Sequence, residues 1–269
     1  MKKTILWMSI LLLFSCQETP KKEGNKTEET ALQNETKEIP EFTKGIEATH
    51  NKVAFQSKEM FSYDLVVHFG DSKYLSAHFT QTVDGSKIRM ERENGELVIY
   101  DGTSVFTNQS EANLSKDRFD IFTWPYFVTL PFKLNDAGTI WSDFQNKPFE
   151  DSVIPTGKLT FEANTGDAPD DWYVIYKNQQ NYLVGAAYIV SFGKGKEAAE
   201  KEPHAVKYTH FTEVEGIPFA KDWTYHLWTT ENGFESQIGD ATLTNIVFSN
   251  KNDSLFTKPK QAILVPLQE

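Results

Sequence analysis

Apolar and polar residues alternate most regularly over residues 61 to 69, FSYDLVVHF. Phe61, Tyr63, Leu65, Val67 and Phe69 fall on one side of an extended chain, and Ser62, Asp64, Val66 and His68 on the other. A period of two sustained this long predicts a strand with one buried face. After a GDSK turn the alternation returns, with Leu75, Ala77 and Phe79 against Ser76, His78 and Thr80, and Asp84-Gly85 leads into KIRMERENGELVIYDGTSVF, residues 87 to 106. That stretch reads as three short strands, because Asn94-Gly95 and Asp101-Gly102 each supply the positive backbone angles of a two-residue hairpin turn. Such turns set Met90 opposite Ile99 and Leu97 opposite Phe106, which places Ile88, Met90, Leu97, Ile99 and Phe106 on one apolar face. Strands that follow one another from about 60 to 107 pair antiparallel.

Elsewhere the period changes. Ile46, Thr49, His50 and Val53 lie at helical spacing and predict an amphipathic helix over about 45 to 57. Residues 117 to 134, DRFDIFTWPYFVTLPFKL, are apolar on every side and carry Pro125 and Pro131, so short helical turns are expected rather than a strand or a long helix. A segment this apolar must be buried, and the concave side of a curved sheet is the simplest place. Alternation resumes at 158 to 164, 172 to 177 and 182 to 192, and a charged loop follows at 193 to 203. AVKYTHFTEV, FAKDWTYHLWTT, FESQIGD and ATLTNIVFS end the series, with Glu215-Gly216 and Asn232-Gly233 as turns. About ten or eleven strands with no repeat and no later linker make a mainly β domain over 45 to 269. Its expected form is one strongly curved antiparallel sheet, an incomplete β-barrel wrapped over short helices.

The first residues break from this pattern. MKKTILWMSILLLFSC has a basic start and an apolar run from Ile5 to Phe14, too short to span a bilayer, and is read as a signal peptide over 1 to 15 with a helix over about 4 to 14. Leu13-Phe14-Ser15-Cys16 resembles the bacterial lipobox, so Cys16, the single cysteine, is expected to carry the lipid attachment. Residues 16 to 44 then form the lipidated Cys and a flexible tether, since Glu, Lys, Thr and Asn dominate and large apolar residues are scarce. Gln17 in place of Asp favours the outer membrane, facing the periplasm or the cell surface. A net charge of −11 argues against nucleic acid or an anionic surface as partner.

Chemical motifs are sparse. GKGKE at 193 to 197 fits neither phosphate-loop spacing, and no GxSxG is present. The six histidines form no ligand motif on one element, so no metal and no cofactor are expected. Glu91, Glu93 and Glu96, or Asp170-Asp171, would serve as acid and base only if the fold supplied a partner. The aromatic residues, 13% of the chain, are more numerous than a thin sheet needs, and a lined apolar cavity follows.

The combination Arg89-Met90-Glu91, then Leu97 to Gly102, then YTHFTEVEGIP at 208 to 218, then Thr244-Asn245-Ile246 with Leu255-Phe256, resembles the LolA/LolB-like lipoprotein-carrier superfamily, especially its lipid-anchored Bacteroidetes members. The resemblance covers about 45 to 260 and implies an incomplete barrel around a cavity for acyl chains. A non-catalytic role follows as the expectation, with a lipid or apolar small molecule as partner and the membrane reached through the anchor. Phe122, Trp124 and Phe127 are expected at the cavity mouth, with Trp172 and Trp223 deeper. Two other readings stand beside it: an envelope interaction module with a filled core, which needs a protein partner, and a hydrolase or isomerase sited in the cavity.

Overall fold

Alternation along the chain becomes a single antiparallel sheet. The computed structural model describes residues 38–109 and 113–267. The signal peptide, Cys16 and the tether up to residue 37 lie outside the described residues. The strands are β1 (Met60–Phe69), β2 (Ser72–Thr82), β3 (Ile88–Arg92), β4 (Leu97–Tyr100), β5 (Val105–Thr107), β6 (Thr139–Phe149) and β7 (Ser152–Phe161). They continue with β8 (Tyr173–Lys177), β9 (Leu183–Tyr188), β10 (His204–Val214), β11 (Ile217–Thr229), β12 (Gly233–Ser249) and β13 (Ile263–Val265). Their order across the sheet is β13-β5-β4-β3-β2-β1-β12-β11-β10-β9-β8-β7-β6, and it does not close into a barrel. Register shifts bend it where β1 meets β12 between Ser62 and Asp64, and along β11 at His226. FESQIGD and ATLTNIVFS, expected as two strands, form the single β12. The free edge strand β6, which its polar composition hid, is interrupted by a bulge with Asp143 at φ 49° and by Pro148, features that discourage edge pairing.

Helices α1 (Glu41–Thr49), α2 (Lys52–Gln56) and α3 (Leu114–Thr129) pack against the concave face. α1 takes in four residues that the composition assigns to the tether. The expected single helix over 45 to 57 is two, because Asn51 turns left-handed at φ 53° and its amide holds the Gly216 carbonyl at 2.9 Å. That break rotates the second helix, so Phe55 is buried and Val53 is exposed. Phe55 stacks on Phe132 with ring centroids 4.0 Å apart.

Two expectations need correcting. The turn at Asn94-Gly95 holds one more residue than expected: Gly95 N–H bonds to Arg92 O and Arg92 N–H to Glu96 O, with Gly95 at φ 86° as the bulge residue. The turn at Asp101-Gly102 is longer too, spanning 101 to 104, so Ile99, not Leu97, faces Phe106, while the extra residue at Asn94-Gly95 sets Met90 opposite Val98, not Ile99. One step of register moves Leu97 and Ile99 to the convex face, where they pack with Met60 and Phe256, while Ile88, Met90 and Val98 stay in the main core. In addition, Pro125 does not divide the apolar segment. α3 runs through it for sixteen residues. Contacts of Trp124 and Phe127 with Tyr225 and Tyr188 repay the roughly 3 kcal/mol cost of an interior proline. Pro131 stands in the first turn of the 3-10 segment Leu130–Phe132, where its missing N–H leaves no bond unmade.

Candidate functional site

The concave side is filled near the middle of the sheet and open toward one side of α3. Phe61, Tyr63, Leu65, Phe79 and Trp223 are sealed there, and the space beside His50 and Trp223 amounts to about 10 Å3. His50 is buried, with Nε2 accepting the Leu183 N–H at 3.1 Å, and burial lowers its pKa to about 4. A neutral imidazole that closes a helix against β9 is structural.

Along the other side of α3 lies a cleft of about 580 Å3. α3 supplies Phe119, Phe122, Tyr126 and Phe127, and the facing wall includes Tyr173 and Tyr188. These rings are ordered among themselves. Phe127 meets Tyr188 edge-on at 4.9 Å, Tyr126 lies 5.3 Å from Tyr173, and Phe122 meets Tyr100 at 5.0 Å. The charged groups are each bonded. Arg118, buried near the start of α3, holds Asp167 of the 165 to 171 loop through Nε at 3.1 Å and through Nη2. Lys133 bonds Asp136 at 3.3 Å and the Asp84 carbonyl at 3.2 Å. Asp171 accepts the Ser191 N–H at 2.7 Å, and burial raises its pKa. No histidine lines the cleft. Among the described residues no group of three or more His, Cys, Asp or Glu could hold a metal ion.

Of the five residues expected to line a cavity, Phe122 and Phe127 do line this cleft, and the other three lie elsewhere. Trp124 turns to the opposite side of α3, where its indole N–H bonds Asp120 at 2.9 Å and its ring meets Tyr74 and Tyr225. Trp223 is locked in the filled part, donating to the Ala220 carbonyl at 2.9 Å. Trp172 faces outward: β8 alternates, so Trp172, Val174 and Tyr176 join Trp228 in a second core on the convex side, while Tyr173 and Ile175 point in. That outer core is closed by Ala199 of α4 (Lys196–Ala199) and by Phe149 and Phe234, with Trp228 N–H on the Tyr176 hydroxyl at 2.8 Å. The signal for Tyr173 was therefore present in the sequence, in a pair of adjacent aromatics of which a strand can send only one inward.

A second charged group, missed in the sequence, sits on the opposite side of the same N-terminal turns of α3. Arg92 of β3 bonds Asp117 at 2.6 Å and Asp120 at 2.7 Å, and both aspartates are fully buried. Trp124 and Tyr74 donate to Asp120, which also pairs with Lys116, and Gln109 donates to Asp117, whose Oδ2 has no partner among the described residues. Burial alone would lower the Arg92 guanidinium pKa, and the bonds to the two carboxylates outweigh it and hold it up. This network fastens α3 to the sheet.

No family model and no curated protein matches the chain in sequence. Among solved structures, a LolA superfamily protein from Nitrosomonas europaea aligns over 80% of this chain and 97% of its own, with a TM-score of 0.52 and 12% identity. A domain assigned to the outer membrane lipoprotein-sorting proteins from Vibrio parahaemolyticus aligns over 77% of this chain and 93% of its own, with a TM-score of 0.43 and 7% identity. A DUF1329 family protein from Desulfovibrio piger aligns over 81% and 98%, with a TM-score of 0.43 and 7% identity. The fold is LolA-like. Among the described residues no helix is long and apolar enough to cross a membrane.

Proposed function

We propose that this chain is a cell-envelope lipoprotein, held at the outer membrane through a lipid on Cys16, whose half-barrel takes up a lipid or another apolar ligand without transforming it. The observation that carries the reading is the cleft beside α3, about 580 Å3 and walled by Phe119, Phe122, Phe127, Tyr173 and Tyr188. That volume lies within the roughly 300–1,000 Å3 usual for sites of small ligands. Each methylene buried there contributes about 0.8 kcal/mol, so an acyl chain of about a dozen carbons covers the ordering costs of binding. The LolA-like fold supports the reading by analogy, since it is a frame in which a sheet wraps a helix without closing. Lipobox and tether support the location, with an envelope protein as a second partner.

Two experiments test it. Native mass spectrometry of the Cys16→Ser chain purified from cells is expected to show a co-purified lipid. Absence of any bound lipid, with no uptake of an apolar dye, overturns the ligand reading. Palmitate labelling is expected in the unaltered chain and absent from Cys16→Ser, and label that persists in the variant overturns the anchor.

A further inference from the structure

The cleft has a polar end whose chemistry discriminates among amphiphiles, an inference that rests on the ligand reading above. Two cations line it, and each already has its own carboxylate: Arg118 is held through Nε and Nη2 by Asp167, and Lys133 is bonded to Asp136. Lys52 approaches Asp136 to 3.8 Å but gives its bond to Glu47 at 2.7 Å. Asp171 is the third carboxylate, 9% exposed, and it faces the cleft with backbone and hydroxyl donors of Ser191 and no cation. Tyr126 lines the same cleft and carries a phenol with unmet bonding capacity. The Tyr126 hydroxyl is buried and has no hydrogen-bond partner among the described residues, and both Asp136 and Asp171 are near enough to raise its pKa further beyond the effect of burial. An unpartnered buried hydroxyl is costly unless something arrives to bond it.

We propose that this end of the cleft selects an amphiphile with an uncharged, hydroxyl-bearing head, of the acylglycerol type, over a free fatty acid. A head with hydroxyl groups can donate to Asp171 and offer an oxygen to Tyr126, so it serves both groups without disturbing either ion pair. A fatty-acid carboxylate would stand beside Asp171 with neither Arg118 nor Lys133 free to receive it, and like charges at close range disfavour binding. Taking a cation from Asp167 or Asp136 would strand that carboxylate in turn.

The test is displacement of the uncharged dye phenylnaphthylamine from the Cys16→Ser chain at about pH 8, where a carboxylate head is ionised. Monomyristoylglycerol is expected to displace the dye at a concentration about tenfold or more below that of myristate, which has the same acyl chain. Equal or stronger displacement by myristate overturns the proposal and leaves the ligand reading intact. A chain that takes up no dye loses both. In Tyr126→Phe, affinity for the acylglycerol is expected to fall about threefold to tenfold with dye binding unchanged, and an unchanged acylglycerol affinity overturns the role of the phenol. Asp171→Asn keeps the shape and the Ser191 contact but removes the charge, so the preference is expected to narrow through tighter myristate binding. A preference that stays as wide overturns the charge argument.

Discussion

Neighbouring residues of α3 hold two sets of ion pairs on different sides of the helix, and the two are built for different ends. Asp117 and Asp120 are sealed inside the protein around Arg92, with indole, phenol and amide donors and the Lys116 ammonium beside them. Arg118, next in sequence to Asp117, reaches the lip of the cleft and holds a loop aspartate that is 21% exposed. A sealed pair is poor evidence of added stability, because desolvation offsets its attraction, yet removing one partner is severe because the other charge stays behind. Arg118 is itself buried, but its aspartate is part-exposed and regains water when the pair opens, so this pair opens more easily than the sealed one. One side of the helix start is thus fixed to the sheet, and the other side is fastened to a loop.

The contrast is broken most directly at Arg92. Arg92→Met leaves the buried Asp117 with no cation and Asp120 with Lys116 alone, and is expected to cost about 3–5 kcal/mol, read from the denaturant midpoint. A loss below about 1 kcal/mol would mean that water reaches the site and that the two sets are alike.

Acid probes the sealed interior in a second way. His50 is neutral in the fold with a pKa of about 4, against 6.5 when unfolded, so between these values the unfolded chain binds a proton that the folded chain refuses. Stability from this group is complete above about pH 6.5, falls by about 3 kcal/mol as the pH drops to about 4, and changes no further below. Urea titrations across that range check it, and His50→Gln should flatten the slope.

Arg118→Gln sharpens the comparison from the other side. Its expected cost is smaller, about 1–2 kcal/mol, because the Asp167 left behind is part-exposed, while the dissociation of bound dye, followed by stopped flow, should become several-fold faster as the 165 to 171 loop is released. A stability loss as large as that of Arg92→Met would abolish the distinction.

How far the sequence reveals this arrangement depends on the scale of the signal. β1 and β2 were legible because their alternation is long and one face is wholly apolar, so parity and burial agree. The hairpin at Asn94-Gly95 was legible as a turn but not in its length, since Gly95 suits either a two-residue turn or a bulge, and one residue decides which way Leu97 and Ile99 point. Trp172 misled for the same reason: its bulk marks burial but does not say on which side of the sheet. α3 defied its proline because packing on all sides outweighs local preference. The Asp117–Asp120–Arg92 network left no trace, as two aspartates three apart on a helix read as solvent-facing until β3 is brought beside them.

Assembly order follows from the centre of the sheet. β1 pairs along its length with β12, Met60 with Ser249 and Phe69 with Gly239, so strands from opposite ends of the chain meet at the middle. Such a pairing closes a loop of well over a hundred residues, and its entropy must be met before the contact gives anything back. The meander from β1 to β5 therefore waits with its first strand open on one edge until nearly the whole polypeptide is available. A chain emerging from a translocation pore N-terminus first would remain unfolded through most of its passage, in need of a holdase during the interval, and would then complete its central pairing late and in one cooperative step.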